Sequence, residues 1–244
     1  VNQAIEYGRK IWLELGFKEM SGPIVQTGFW NFDALFTAQD HPVREMLDTF
    51  FIKDALGKLP DAKLVARVKK AHETGVGGSK GWQYSWKAED AKKVVLRTHT
   101  TPLSAKTLAN LKPSDLPEKF FSIGKCFRNE IAPRDFMFRC REFTIGEFEF
   151  FIHPYEKKCI ILDKEHLNVE LKLLDAESQD AGKTELKKTT IEKMLKEGRL
   201  DEWHAYWLAE QLIWFKSLGL NPDKIKVREH KKSELSHYSS ATFD

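Results

Sequence analysis

The sequence predicts an α+β fold, an antiparallel sheet flanked by helices, laid out as one domain over residues 1–244. Three observations predict it. Two strand-like runs, 119–130 and 137–152, are separated only by the short link IAPRDF, which suits an antiparallel hairpin. Segments 2–15, 61–75 and 202–219 carry apolar residues at helical spacing and stop at or beside a glycine. No internal repeat or low-complexity linker divides the chain.

Residues 2–15 put Ile5, Trp12 and Leu15 on one side of a helix that Gly16 stops. GFKEMSGPIV then reads as extended chain, interrupted at Gly22-Pro23. In 42–52 a proline-led helical turn runs into an apolar, strand-like stretch. The helix over 61–75 has Asp61 as N-cap, an apolar face of Leu64, Val65 and Val68, and Gly75 as its stop. VGGSKGWQYSW (76–86) reads as a loop or hairpin with exposed side chains, and KVVLRTHTT (93–101) as a buried strand with a polar end. Residues 156–200, rich in lysine and glutamate, are expected to form a helical surface insertion. In 202–219 Trp203, Trp207, Leu208, Leu212 and Phe215 share a stripe that reads as core packing, and KIKVREH (224–230) is a short strand.

A hydrophobic content of 41% with 31% charged residues excludes a disordered chain and a membrane protein. No run of about 18 apolar residues occurs, so no partnership with a membrane is expected. The first residues lack the apolar core of a secretion signal, and the absence of an initiator Met suggests a fragment. A net charge of +3 permits a nucleic-acid partner without demanding one. Cys126, Cys140 and Cys159 form no CxxC pair and read as free thiols of a cytoplasmic protein rather than a metal site.

The stretch FRNEIAPRDFMFRCREF (127–143) interleaves arginines, phenylalanines and acids. On facing strands Arg128 and Arg139 would present guanidinium forks suited to the oxygens of a triphosphate. Glu130, two residues beyond Arg128, would share its face and could accept from the exocyclic amine of a base. Phe143, four beyond Arg139, could stack on a purine, and Glu147, at the same interval again, could hold an ammonium group. A strand face laced with salt bridges is the competing reading. His99, where a buried strand turns polar, fits either a site or a structural role. His230 and His237 have no common metal spacing, and no metal ligand set is identified. Phosphate-loop, dinucleotide-fold, nucleophile-elbow and HExxH motifs are all absent.

FRNE, a loop and RCREFTIGE resemble the second signature motif of class II aminoacyl-tRNA synthetases: aromatic-Arg-x-Glu, a variable loop, then Arg-xxx-Phe-xxx-acid. Phe127, Arg128, Glu130, Arg139, Phe143 and Glu147 fill its slots. The resemblance implies ATP as substrate with Mg²⁺, Arg128 on the α-phosphate, Arg139 on the outer phosphates, Glu130 on the adenine amine and Phe143 stacked on adenine. GFKEMSGP resembles the first signature motif and implies a subunit interface at Pro23, in a homodimer or with a β-type partner. Residues 8–130 are similar to archaeal and eukaryotic phenylalanyl-tRNA synthetase α subunits, which implies that His99 and Thr101 anchor the amino acid's ammonium group. Residues 127–244 look instead like an archaeal-type glycyl-tRNA synthetase, which implies that Glu147 binds the ammonium and Glu149 keeps the pocket small. The two resemblances meet at KCFRNE, where a crossover is the plainest account. A third signature motif does not occur, so the resemblance implies a truncated catalytic domain that charges tRNA with phenylalanine, or with glycine, or a non-catalytic binding protein of the same fold.

Overall fold

A computed structural model describes residues 2–45, 48–134, 136, 138–235 and 239–244. The sequence reading drew one domain; the chain's contacts group into two units, Val1–His153 and Pro154–Asp244.

In the first unit α1 (Asn2–Glu14) ends as expected before Gly16, whose φ is +80°. The extended segment that follows is split at Gly22-Pro23 between two sheets. β1 (Lys18–Glu19) pairs in parallel with β5 (Glu118–Phe127), and β5 pairs antiparallel with β6 (Glu142–Phe151). β2 (Val25–Thr27) joins an antiparallel sheet of order β2-β4-β3, with β3 at Phe51–Leu56 and β4 at Lys93–Leu96. The first sheet is therefore mixed, with its antiparallel hairpin as the main pairing. Trp12 seats α1 on it, stacking on Phe148 at 4.4 Å between centroids and meeting Phe17 edge-on at 5.0 Å.

Among the described residues four further α-helices belong to this unit: α2 (Gly28–Asn31), α3 (Ala62–Thr74), α4 (Ala88–Lys92) and α5 (Pro102–Leu108). Asp61 caps α3 by accepting from Leu64 N at 2.9 Å. Leu64, Val65 and Val68 pack as predicted, against a core of Phe29, Trp86 and Ala91. Gly75 ends α3 at φ +80°, where a Cβ would lie 1.8 Å from Ser79 O, so only glycine fits.

Three expectations for this unit need correction. The 76–86 segment is a loop, but Trp86 is buried and Tyr84 half-buried, because each has a polar partner inside. The strand read over 93–101 leaves its ladder after Leu96, and its polar end turns into α5. The hairpin strands stop at Phe127 and resume at Glu142, so Glu130 and Arg139 lie in the connecting loop and not on paired strands. Pro133 has no N–H to give a ladder, and Ile131, Phe136 and Phe138 lie exposed instead of forming a buried strand face.

In the second unit β7 (Glu170–Leu174) is central to a sheet of order β8-β7-β9, with β8 at Lys187–Thr190 and β9 at Val227–Arg228. Short helices α6 (Lys164–Leu167), α7 (Ala176–Asp180) and α8 (Ile191–Lys196) intervene. The helical surface insertion expected over 156–200 is thus corrected: two strands run through it, and Ile191 and Met194 are fully buried. The charge-rich composition hid a period of two in ELKLL, where Leu171 and Leu173 face the core. Helix α9 (Glu202–Ser217) is capped by Asp201. It packs through small Ala205 and Ala209 with Leu208 and Leu212, whereas Trp203, Trp207 and Phe215 are only half-buried. Met194→Ala should cost about 2–5 kcal/mol, read as a lower denaturant midpoint; a loss under about 1 kcal/mol would contradict its core position.

Candidate functional site

A cleft of about 410 Å³ in the first unit is lined by three stretches of chain. Phe32, Thr37, Val43 and Asp48 form one, Thr98 and His99 the second, and Arg128, Asn129 and Glu130 the third. Its size is that of a small-ligand pocket.

Arg97 holds these stretches in register. Its backbone N–H donates to Ile24 O at 2.8 Å and its carbonyl accepts from Phe127 N at 2.9 Å, which joins the ends of the two sheets. The buried guanidinium donates through Nε to Lys125 O at 2.7 Å and through a terminal nitrogen to Gly22 O at 3.0 Å. The 98–101 turn follows directly. Asn31, fully buried at the end of α2, donates to Thr98 Oγ1 at 3.1 Å and accepts from Thr98 N at 3.3 Å.

His99, Thr101 and Glu147 come together. Glu147 accepts from Thr100 N at 3.0 Å, from the Thr100 hydroxyl, and from Thr101 Oγ1 at 3.3 Å. Those bonds leave the carboxylate further acceptor capacity. His99 Nε2 lies 3.1 Å from Asn31 O, a pure acceptor, so Nε2 carries the proton and Nδ1 of the neutral ring is an acceptor. Burial lowers the His99 pKa and Arg128 lowers it further, against the opposing pull of the Asn31 carbonyl and Glu147.

Glu149 lies two residues along the same strand, opposite Phe120. Burial pushes its carboxyl up; nearby Ser104 opposes the rise and the Glu147 carboxylate adds to it. Neither Glu149 Oε2 nor Ser104 Oγ has a hydrogen bond of acceptable geometry.

Arg128 sits one residue past β5, and its N–H extends the ladder to Arg141 O at 3.0 Å. Its guanidinium carbon lies 5.2 Å from the Phe143 ring centroid, and Nε makes a long 3.4 Å contact to Thr98 O. Arg128 and Phe143 thus share the face that alternation predicted. Glu130 and Arg139, although off the ladder, meet at 3.7 Å. The Arg141 guanidinium also reaches the Glu130 carbonyl, at 2.9 Å. The pairing of Glu130 with Arg139 matches the salt-bridge reading; of the predicted site residues His99, Arg128 and Glu130 line the cleft, whereas Thr101, Arg139, Phe143, Glu147 and Glu149 are not among its lining residues.

Among the described residues no group of three His, Cys, Asp or Glu side chains could hold a metal ion. His230 bonds Asp244 at 2.6 Å, and His237 lies outside the described residues. Cys126 and Cys159 are buried free thiols, both pushed up by burial, and Cys140 is half-buried. No helix among the described residues is long and apolar enough to cross a membrane.

Sequence reasoning missed Asn31, Asp33, Arg44 and Asp48. One signal was available: Asn31 and Asp33 are the only polar residues between Phe29 and Phe36, and an acid in an aromatic run needs a buried cation.

The neutral His99 ring has a titration consequence. Its folded-state pKa lies below the ordinary value of about 6.5. The stability that the neutral ring contributes is complete above about 6.5 and is lost as pH falls toward the lowered value. An NMR titration of the His99 ring should show a midpoint under about 6.5; a midpoint above that value would contradict the environment described.

The model for tRNA synthetases class II core domain (F) matches residues 1–149. The phenylalanine–tRNA ligase alpha subunit of Methanothermobacter thermautotrophicus is 51% identical over 132 residues, 53% of this chain and 25% of that protein. The Saccharomyces cerevisiae alpha subunit is 48% identical over 133 residues, 53% of this chain and 26% of that protein. For the Gallus gallus subunit the identity is 50% over 127 residues, covering 50% and 28%. The chain spans about a quarter of the length of these curated relatives. With the family match running through β6 and its glutamates, the chain belongs to the class II core domain family of tRNA synthetases.

Proposed function

We propose that the chain is catalytic core of an aminoacyl-tRNA ligase of the phenylalanine type, activating an amino acid with ATP and transferring it to tRNA. One observation carries the reading. Arg128 and Phe143 lie on the same face of the hairpin as Glu147, four residues along β6, about 13 Å at 3.3 Å per residue. Contacts suited to phosphate, purine and ammonium therefore line up along one face of the hairpin. The names of the similar proteins support phenylalanine.

In the proposed reaction an amino-acid carboxylate oxygen attacks the α-phosphorus of ATP. The new O–P bond forms as the bond to the β-phosphate breaks, and pyrophosphate leaves. A tRNA terminal hydroxyl then attacks the activated carbonyl and AMP departs. No side chain need act as nucleophile; the protein positions reactants and offsets charge. Arg128 engages the α-phosphate and Arg139 the outer phosphates. Glu130 accepts from the adenine amine, and Phe143 offers its ring to the base. His99 Nδ1, the Thr101 hydroxyl and Glu147 take the ammonium group. Mg²⁺ characteristically arrives on nucleotide phosphates, and because the described residues build no three-ligand cage, no step is assigned to it. Partners on this reading are tRNA and, through the Pro23 segment, a second subunit, either a copy of this chain or a β-type chain, in the cytoplasm.

Glycine is a second reading, favoured by the buried Glu149 carboxyl: its Oε2 has no hydrogen-bond partner, and a benzyl group set against it could supply none. ATP–pyrophosphate exchange with phenylalanine and glycine in parallel separates the two. Exchange with neither, by folded protein, would leave a non-catalytic binding protein. Arg128→Ala should weaken ATP binding by about 10- to 100-fold, the worth of a charge-assisted contact, with little change in unfolding midpoint; unchanged ATP affinity would refute the role of Arg128.

A further inference from the structure

The first wall of the cleft contains none of the signature residues, yet it is the most heavily tethered. Asp33 is fully buried, and Arg44 nearly so. Asp33 Oδ1 accepts from Arg44 at 3.1 Å, from Trp86 Nε1 at 2.8 Å and from Gln39 Nε2 at 3.2 Å. Behind it stands His72, with no exposed surface, whose Nε2 lies 2.8 Å from Asp33 O and must therefore donate. Its Nδ1 takes the Tyr84 hydroxyl at 2.8 Å, and that oxygen accepts from Gln39 N at 3.1 Å.

Arg44 connects this network to the cleft. Its guanidinium lies 4.8 Å from the centroid of Phe32 and also donates to Thr37 O. Both Phe32 and Thr37 line the cleft. The next two lining residues are tied in turn: Thr49 Oγ1 donates to Val43 O at 2.7 Å, and Asn129 N donates to Asp48 O at 3.0 Å. The last of these bonds links the wall to the loop that carries Arg128.

We propose that the buried Asp33–Arg44 pair is a positioning device that fixes residues 37–45, with Asp48, as a wall of the cleft and so sets the space available beside Arg128. A planar fork suits this place, because one extended guanidinium spans a carboxylate, a carbonyl and a ring face together, whereas an ammonium group is a compact point charge without a flat face to lay on the ring. Asp33 and Arg44 are placed to touch no reacting atom. Their effect on a ligand passes through Phe32, Thr37, Val43 and Asp48. The link to ATP rests on the nucleotide reading above, whereas the link to the wall does not.

Arg44→Lys is the informative variant, since it keeps the charge beside Asp33; Arg44→Gln and Asp33→Asn are the harsher ones and risk unfolding. Hydrogen exchange over 37–45, including the Arg44 and Glu45 amides now bonded at 2.9 Å, should quicken about tenfold in Arg44→Lys. The β5–β6 amides and the melting temperature should stay close to the parent. ATP affinity should fall about tenfold or more, the scale of a small misplacement in a site. Unchanged exchange over 37–45, or equal quickening in β5–β6, overturns the proposal. Quickened exchange at 37–45 with undiminished ATP affinity overturns the effect on the cleft. If the parent protein binds no ATP while exchange still quickens locally, the nucleotide reading fails and the tethered wall stands.

Discussion

A single buried guanidinium joins the two sheets of the first unit. Arg97 reaches the carbonyls of Gly22 and Lys125 while its own backbone bonds Ile24 and Phe127. A cation with neutral partners only is costly to bury unless its donors are well used. Here the carbonyls it uses would otherwise lack partners where two sheets end. Two of the three stretches that line the cleft hang from this joint. The turn after Arg97 carries Thr98, His99, Thr100 and Thr101, and the strand through Lys125 ends one residue before Arg128. Gly124 belongs to the same constraint: a Cβ there would lie 2.2 Å from an Arg97 guanidinium nitrogen.

The hairpin sets the second coordinate. Its ladder pairs Cys126 with Phe143 and Ser122 with Glu147, ten pairs without a slip from Glu118↔Phe151 to Phe127↔Glu142. A one-residue slip would turn Phe143, Glu147 and Glu149 to the other face together. The family match runs across this hairpin without a break, over all of β5 and into β6 as far as Glu149.

Much of this was legible in the sequence. Helix stops at Gly16, Gly75 and Gly219, the Asp61 cap and the hairpin follow from local chemistry, which acts within a few residues of itself. Same-face placement of Arg128, Phe143 and Glu147 came from a period of two that the ladder enforces. What could not be read were pairings set by tertiary contact. Asp33 finds Arg44 and Trp86 only after the chain folds, and Glu147 spends part of its carboxylate on the Thr100–Thr101 turn, 46 or 47 residues away. Composition misled where it outweighed period, as in ELKLL, where lysine and glutamate masked a strand with a buried face.

The alternation of arginines, rings and acids had two readings, a salt-bridged surface and a ligand site, and magnitudes show why they coexist. The Glu130–Arg139 contact at 3.7 Å has side chains 28% and 55% exposed, a class of pair worth about 0–1 kcal/mol. Arg128 over Phe143, at an exposed position, adds about 0.5–1 kcal/mol. Releasing both costs the protein roughly 0.5–2 kcal/mol, whereas one charge-assisted hydrogen bond to a ligand recovers about 1.5–3 kcal/mol. Resting pairs this weak keep the guanidinium groups and the ring out of unproductive contacts without holding them there. Glu147 is the opposite case, tied by three donors to a turn that Asn31 and Arg97 already fix. On the proposed reading, the phosphate and base contacts rearrange on binding while the ammonium contacts are preformed, so the 98–101 turn, which reaches the cleft through Thr98 and His99, is the rigid reference against which the nucleotide contacts adjust.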